Sequence, residues 1–265
     1  LRAGPEAKET GFDMSHPHRF YAPFAPGEPG TVRLPLEEAH HALRVARLRQ
    51  GDAVSVINGR GDEIRGILRV SGKQECYVEA REQAACPPPP VALTLALGGL
   101  HQEKALQEVI RRAVETGFSR ICFWQAEHSQ KPVAVHDKCF KTALETCKQC
   151  GRLRFPVFDT APSLEQFLTD FDGPGIIGVT EMEGKVPEPA VIETRLAIVV
   201  GPEGDFSVRE REVVEAFGLT PVSLGKYIYR SETAAAMLMT LAASIVGELG
   251  PPLPISCFPS ADPSS

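Results

Sequence analysis

The chain has 265 residues, 43% of them hydrophobic, with seven scattered cysteines and a formal net charge of −6. That length permits one large domain or two smaller ones, no apolar run is long enough for a membrane-spanning helix, and an odd, dispersed cysteine set excludes a small secreted disulfide scaffold in favour of a reducing, cytoplasmic setting. The acidic total argues against a nucleic-acid partner, but residues 14–160 carry 20 Lys+Arg against 16 Asp+Glu while residues 161–250 carry 6 against 14, so an acidic C-terminal part masks a mildly basic front.

The opening LRAGPEAKETGFD is polar, lacks the apolar core of a signal peptide and precedes Met14, so it is expected to lie outside the fold. Pro35 suits the first turn of a predicted helix over 36–48. Alternating segments at 53–58, 63–70 and 75–82 read as strands, with NGRGD as a hairpin turn, and this mostly β stretch, residues 14–86, suggests a small barrel. The run CPPPP, Cys86 to Pro90, is a stiff spacer. Beyond it the pattern alternates. Strands are predicted at 91–98, 121–126, 154–158, 175–180, 196–201 and 221–224, and helices at 102–116, 137–149, 163–171, 207–217 and 232–249. Continuous apolar strands between amphipathic helices predict an α/β domain with a mostly parallel sheet over residues 91–250, which holds ligands beyond its carboxyl strand ends. The Pro/Ser-rich stretch Pro251 to Ser265 is expected to be a disordered tail.

Two loops carry the chemistry. In GPEGDFSVRE, Gly201 and Gly204 let the backbone turn and approach a ligand, and Ser207 with Glu210 forms a capping box for the next helix. The same residues also serve a plain strand-to-helix turn, and spacing alone leaves both readings open. In LGKYIYRSETAAAMLMTLAAS, Ser231 is the expected N-cap and Glu232 suits the positive helix end. The Ala-rich helix that follows is small and apolar on nearly every side, which means burial or packing on a second copy.

Together, "GPEG-FS--E" and "LG--I-R-ETA" resemble the SPOUT methyltransferases, and more narrowly the RsmE-type enzymes that methylate uridine N3 in bacterial 16S rRNA. RFYAP, HALRVARLRQGD and INGRGDEIRG are similar to that family's N-terminal PUA-like RNA-binding barrel, and EKALQEVIRRAVETGFSRI to its first catalytic-domain helix, so the resemblance covers residues 17–250. It implies a C-terminal trefoil-knot domain, a homodimer with the last helix in its interface, S-adenosyl-L-methionine as cofactor, no metal, and the small ribosomal subunit as substrate. Carried over by position, the cofactor site is Val179, Thr180, Gly201, Pro202, Glu203, Gly204, Leu224, Gly225, Ile228, Arg230, Thr233 and Ala234. Asp205 stands where the family has glycine, and Lys226, Tyr227 and Tyr229 are further departures.

Methylation at N3 requires loss of the N3 proton, so the protein must position the base and remove a proton. Arg230 is placed to steady the uracil oxyanion, and Glu232 either accepts the proton or orders the loop. Arg19, Arg44, Arg47, Gln149 and Arg152 are the expected RNA contacts. The histidines form no metal motif. In CKQCGRLR, Cys147 and Cys150 have no second Cys pair and close a helix, which disfavours a zinc or redox site; Gly151 is then the helix stop and both cysteines are small buried fillers. Two rival functions remain: a non-catalytic PUA-like RNA-binding protein, and a SPOUT methylase acting on another RNA position.

Overall fold

The computed structural model describes residues 18–27, 30–72, 74–100, 102–129, 131–179, 194–202 and 204–249. The chain divides into two compact units, Leu1–Cys86 and Pro87–Ser265.

In the first unit the strands are β1 (His18–Tyr21), β2 (Thr31–Arg33), β3 (Ala53–Ile57), β4 (Asp62–Val70) and β5 (Cys76–Ala85), in sheet order β1-β3-β4-β5-β2. β1 runs parallel to β3; the other pairs are antiparallel. Phe20, Val54, Val56, Ile64, Leu68 and Val78 fill the core, joined by Ala39 and Ala42. The NGRGD hairpin forms because the Asn58 side chain acts as its template: Oδ1 accepts from the Arg60 and Asp62 amides, and Nδ2 donates to the Asp62 carboxylate at 2.7 Å. A bulge falls between Arg65 and Gly66, where a Cβ on Gly66 would collide with the Glu79 carbonyl.

The predicted 36–48 helix is shorter and changes type. α1 spans Leu36–His40, widens into a π-turn at His41–Val45, and stops where Arg47 adopts φ 55. Leu48 then returns its N–H to the Ala42 carbonyl at 2.9 Å, which ends the helix. β1 and β2, of four and three residues, carry too little alternation to be read from sequence.

The second unit is a six-stranded parallel sheet. Its strands are β6 (Ala92–Gly98), β7 (Arg120–Trp124), β8 (Val157–Ala161), β9 (Gly175–Val179), β10 (Arg195–Val200) and β11 (Thr220–Ser223), in order β11-β9-β10-β6-β7-β8. Its helices are α2 (Glu103–Glu115), α3 (Asp137–Cys150), α4 (Leu164–Asp170), α5 (Val208–Ala216) and α6 (Ser231–Ile245). Residues on both faces are buried. Ala96, Trp124, Ala197 and Val199 join Leu164 and Phe167 in one cluster, while the alternating Leu93, Leu95, Leu97 and Ile198 are fully buried as well. β8 begins three residues later than the apolar run RFPVF suggests, because Pro156 has no N–H for the ladder.

α6 ends at Ile245, four residues short of the expected 249. Ala235, Leu238, Met239, Ala242 and Ala243 face the core, while Thr233, Met237, Thr240 and Ser244 form an exposed stripe. No helix among the described residues is long and apolar enough to cross a membrane.

Candidate functional site

The sheet order brings the two motif loops together. β11, β9 and β10 are parallel neighbours, so their carboxyl ends, Ser223, Val179 and Val200, open on one edge about 5 Å apart. Gly201, Pro202 and Gly204 follow β10, Leu224 and Gly225 follow β11, and Val179 ends β9. Of the expected site, Thr180 and Glu203 lie outside the described residues.

Close packing sets the shape of this edge. A Cβ on Gly98 would stand 2.7 Å from the Pro202 nitrogen and 2.9 Å from Trp124, so only glycine lets β6 end against the β10 loop. A Cβ on Gly201 would meet the Phe206 ring at 2.8 Å. Phe206 in turn stacks on Trp124, whose indole N–H is buried with no hydrogen-bond partner among the described residues. Space around Gly204 is open, and Gly225 holds φ 126. The result is a loop of accessible backbone groups on an apolar, aromatic base, able to hold a flat ring and a short polar chain.

The capping box forms as expected and reaches further. Ser207 accepts from the Glu210 amide at 3.1 Å, and Glu210 accepts from Ser207 at 2.7 Å. The other Glu210 oxygen accepts from the Glu127 amide at 2.9 Å, in the loop after β7. One buried carboxylate thus fastens two loops to the start of α5. Asp205 adopts φ 65, a conformation that glycine takes more easily; its carboxylate accepts from the Phe206 amide and pairs with Arg211 at 2.7 Å.

Arg230, not Ser231, is the N-cap of α6, and its side chain makes no capping bond; Ser231 already has helical geometry. Arg230 is exposed and Glu232 half-buried, and neither forms an ion pair among the described residues. Ile228 is 86% exposed and Tyr227 66%; Thr233 is exposed and Ala234 half-buried.

The expected RNA contacts fall into three groups. Arg44 and Arg47 are exposed on the π-turn and the residues after it, with no ion pair among the described residues. Arg19 is mostly covered and pairs with the buried Glu63 at 3.3 Å. Gln149 is exposed on the last turn of α3. Arg152 points inward instead of toward a partner: its guanidinium donates to the carbonyls of Val114 and Gly117, at 3.0 and 3.1 Å, at the end of α2. The Val114 carbonyl also accepts from the Gly117 amide at 3.3 Å, and the guanidinium completes this negative helix end; burial draws its pKa below the ordinary arginine value.

Gly151 stops α3 with φ 86, as expected. Cys147 is fully buried, and burial pushes its thiol up to about 12. Cys150, expected to be buried, is exposed. No cluster of three metal-ligating side chains exists among the described residues.

Sequence reasoning missed the organiser of the β7–α3 loop. Gln125 Nε2 lies 3.3–3.4 Å from the carbonyls of Ala126, Ser129 and Lys131, and its Oε1 accepts from Val133 at 2.8 Å. Nothing in the local pattern marks that glutamine.

Residues 87–243 match the family model described as an RNA methyltransferase domain, and residues 34–80 match that of an RNA methyltransferase PUA domain. The chain is 28% identical over 204 residues to the ribosomal RNA small subunit methyltransferase E of Rickettsia conorii, covering 74% of this chain and 82% of that one. Among solved structures, a probable rRNA-methyltransferase from Porphyromonas gingivalis superposes with TM-score 0.75 at 27% identity, covering 86% of this chain and 98% of that one. A ribosomal RNA small subunit methyltransferase E from Neisseria gonorrhoeae, bound to S-adenosyl methionine, shares the fold with TM-score 0.72 at 23% identity, covering 88% of this chain and 98% of that one.

Proposed function

The chain belongs to the RNA methyltransferase family, and from that premise we propose that it methylates N3 of a specific uridine in the 16S rRNA of the bacterial small ribosomal subunit, using S-adenosylmethionine. The observation that carries this reading is the convergence of three loops, at Val179, at Gly201, Pro202 and Gly204, and at Leu224–Gly225, on the carboxyl ends of adjacent parallel strands. The relatives named above support rRNA as substrate, and the N-terminal PUA match supports an RNA-gripping unit.

The residues present fit the cofactor. Gly201, Gly204 and Gly225 keep backbone donors and acceptors accessible, and the Trp124–Phe206 stack underlies them. When bound, S-adenosylmethionine supplies a methyl group on a positively charged sulfur. The chain supplies position and proton control. The glycine loops, with Leu224, Ile228, Thr233 and Ala234, hold the cofactor; Thr180 and Glu203 complete the set. Arg230 steadies negative charge on the uracil oxygens as the N3 proton leaves, and Glu232 takes that proton. Arg44 and Arg47, with Arg19 of the same unit, hold phosphates without reading sequence, and Gln149 contributes from the second unit.

In the same reading the C-terminal unit is a trefoil knot, a view supported by the insertion of β10 between the earlier strands β9 and β6. The enzyme works as a cytoplasmic homodimer, a view supported by the exposed Thr233–Met237–Thr240–Ser244 stripe of α6. Purified protein, S-adenosylmethionine and unmodified small subunits are expected to yield 3-methyluridine on nucleoside analysis. A 2′-O-methylated nucleoside, or no methylation with cofactor bound, would overturn the uridine-N3 reading.

A further inference from the structure

A cavity of about 370 Å³ opens beside the cofactor loops, between the loop after β6 and the loop after β7. Its size falls within the ~300–1,000 Å³ range of small-molecule sites. It is separate from the glycine loops yet joined to them. Gly98, at its edge, packs against Pro202, and Glu127, at the start of its far wall, donates to Glu210. The far wall is built in advance: Gln125 ties Ser129, Lys131 and Val133 into one turn, and a Cβ on Gly99 would meet the Ser129 hydroxyl at 3.2 Å.

The lining divides by polarity. Leu106, Ile110, Phe123 and Val133 make an apolar floor. The exposed rim carries donors, Lys131, His136 and Lys138, the last paired with Glu103. Uracil divides the same way. Its C5–C6 edge is apolar, and its two carbonyl oxygens flank N3 on the opposite edge. Enzymes acting on a base take it out of the stack, hold it between apolar side chains and read its polar edge.

We propose that this cavity receives the target uracil, C5–C6 edge on the apolar floor, with Lys131 and His136 donating to the carbonyl oxygens on either side of N3. The assignment rests on the uridine methyltransferase reading. It also gives a reason for selectivity, because cytosine replaces one carbonyl with an amino group that would face donors.

The test uses the full chain saturated with S-adenosylhomocysteine, which permits no turnover. Uridine 5′-monophosphate, cytidine 5′-monophosphate and inorganic phosphate are titrated by NMR into the wild type and into Ala134→Phe. Ala134 is an exposed lining residue, so the larger ring fills the cavity without entering the core. The uridine nucleotide is expected to bind about tenfold more tightly than the cytidine nucleotide, with no comparable phosphate binding, and Ala134→Phe is expected to weaken it about tenfold with S-adenosylhomocysteine affinity unchanged. Equal affinity for all three probes, no uridine nucleotide binding, or indifference to Ala134→Phe would overturn the proposal. Failure to bind S-adenosylhomocysteine, with uridine selectivity intact, would instead defeat the methyltransferase reading and leave a uridine-binding cavity that holds no methylation target.

Discussion

Trp124 and Phe206 stack with ring centroids 6.0 Å apart and planes 9° from parallel, joining the end of β7 to the loop after β10. Trp124 is the only tryptophan in the chain, so its emission reports on that loop. Cofactor binding at Gly201–Gly204 is expected to change the fluorescence saturably. Phe206→Ala should lower stability in denaturant by about 2 kcal/mol, since a half-buried aromatic loses less than a fully buried one. It should also weaken cofactor binding. An unchanged emission at saturating cofactor would separate this stack from the site.

Glu210 accepts from two amides on different loops. Glu210→Ala leaves both donors unsatisfied and should cost about 2–4 kcal/mol. Ser207→Ala removes one cap and should cost about 1 kcal/mol. Urea unfolding of the two variants checks the ordering; equal losses would mean that the Glu127 bond contributes nothing.

Asp205 holds φ 65 and pairs with Arg211 on the surface. Asp205→Gly relieves about 1 kcal/mol of left-handed strain and gives up an exposed ion pair worth about 0.5 kcal/mol, so thermal stability should barely move. Asp205→Val should lose about 1–2 kcal/mol, because a β-branched residue fits that conformation poorly. A large loss for the glycine variant would show that the carboxylate does more than hold the turn.

Arg152 joins α3's end to α2's last carbonyls. Arg152→Met should destabilise by about 1–3 kcal/mol by removing both charged hydrogen bonds, which leaves Val114 O with the Gly117 amide alone. RNA affinity, measured by filter binding where the variant is fully folded, should stay the same; a tenfold drop would restore an outward role.

Cys122 and Cys147 are buried, and burial pushes both thiols up to about 12. An unfolded chain ionises them near the ordinary value of about 9, so it binds fewer protons than the folded chain between about pH 9 and 12. Stability from this source is complete below pH 9 and falls as pH rises toward 12, by on the order of 1.4 kcal/mol per pH unit per thiol. Cys122→Ala with Cys147→Ala should flatten the alkaline limb of a stability–pH curve. Iodoacetamide at neutral pH should label the exposed Cys86 and Cys150 first.

The parallel sheet was legible because its strands are continuous apolar runs, LALG and AIVV among them, and the capping box because its two residues are local. What could not be read depends on distant neighbours. Arg152 looks solvent-facing in CGRLR until α2 presents its carbonyls. Arg230 becomes the N-cap of α6 though Ser231 has the better side chain, because Arg230 keeps extended dihedrals, φ −64 and ψ 152, and Ser231 is already helical. Gln125 acts through residues up to Val133, a span with no periodicity to reveal it.

The missing side chain at Gly98 has a consequence for how this protein changes over generations. With the Pro202 nitrogen 2.7 Å from where a Cβ would be, the end of β6, which leads into the cavity lining at Gly99, and the loop after β10 meet backbone to backbone. A substitution that adjusts either must be matched by one in the other. Variants of the two loops should therefore succeed in pairs and fail singly, and a library that randomises only one of them should return the parent.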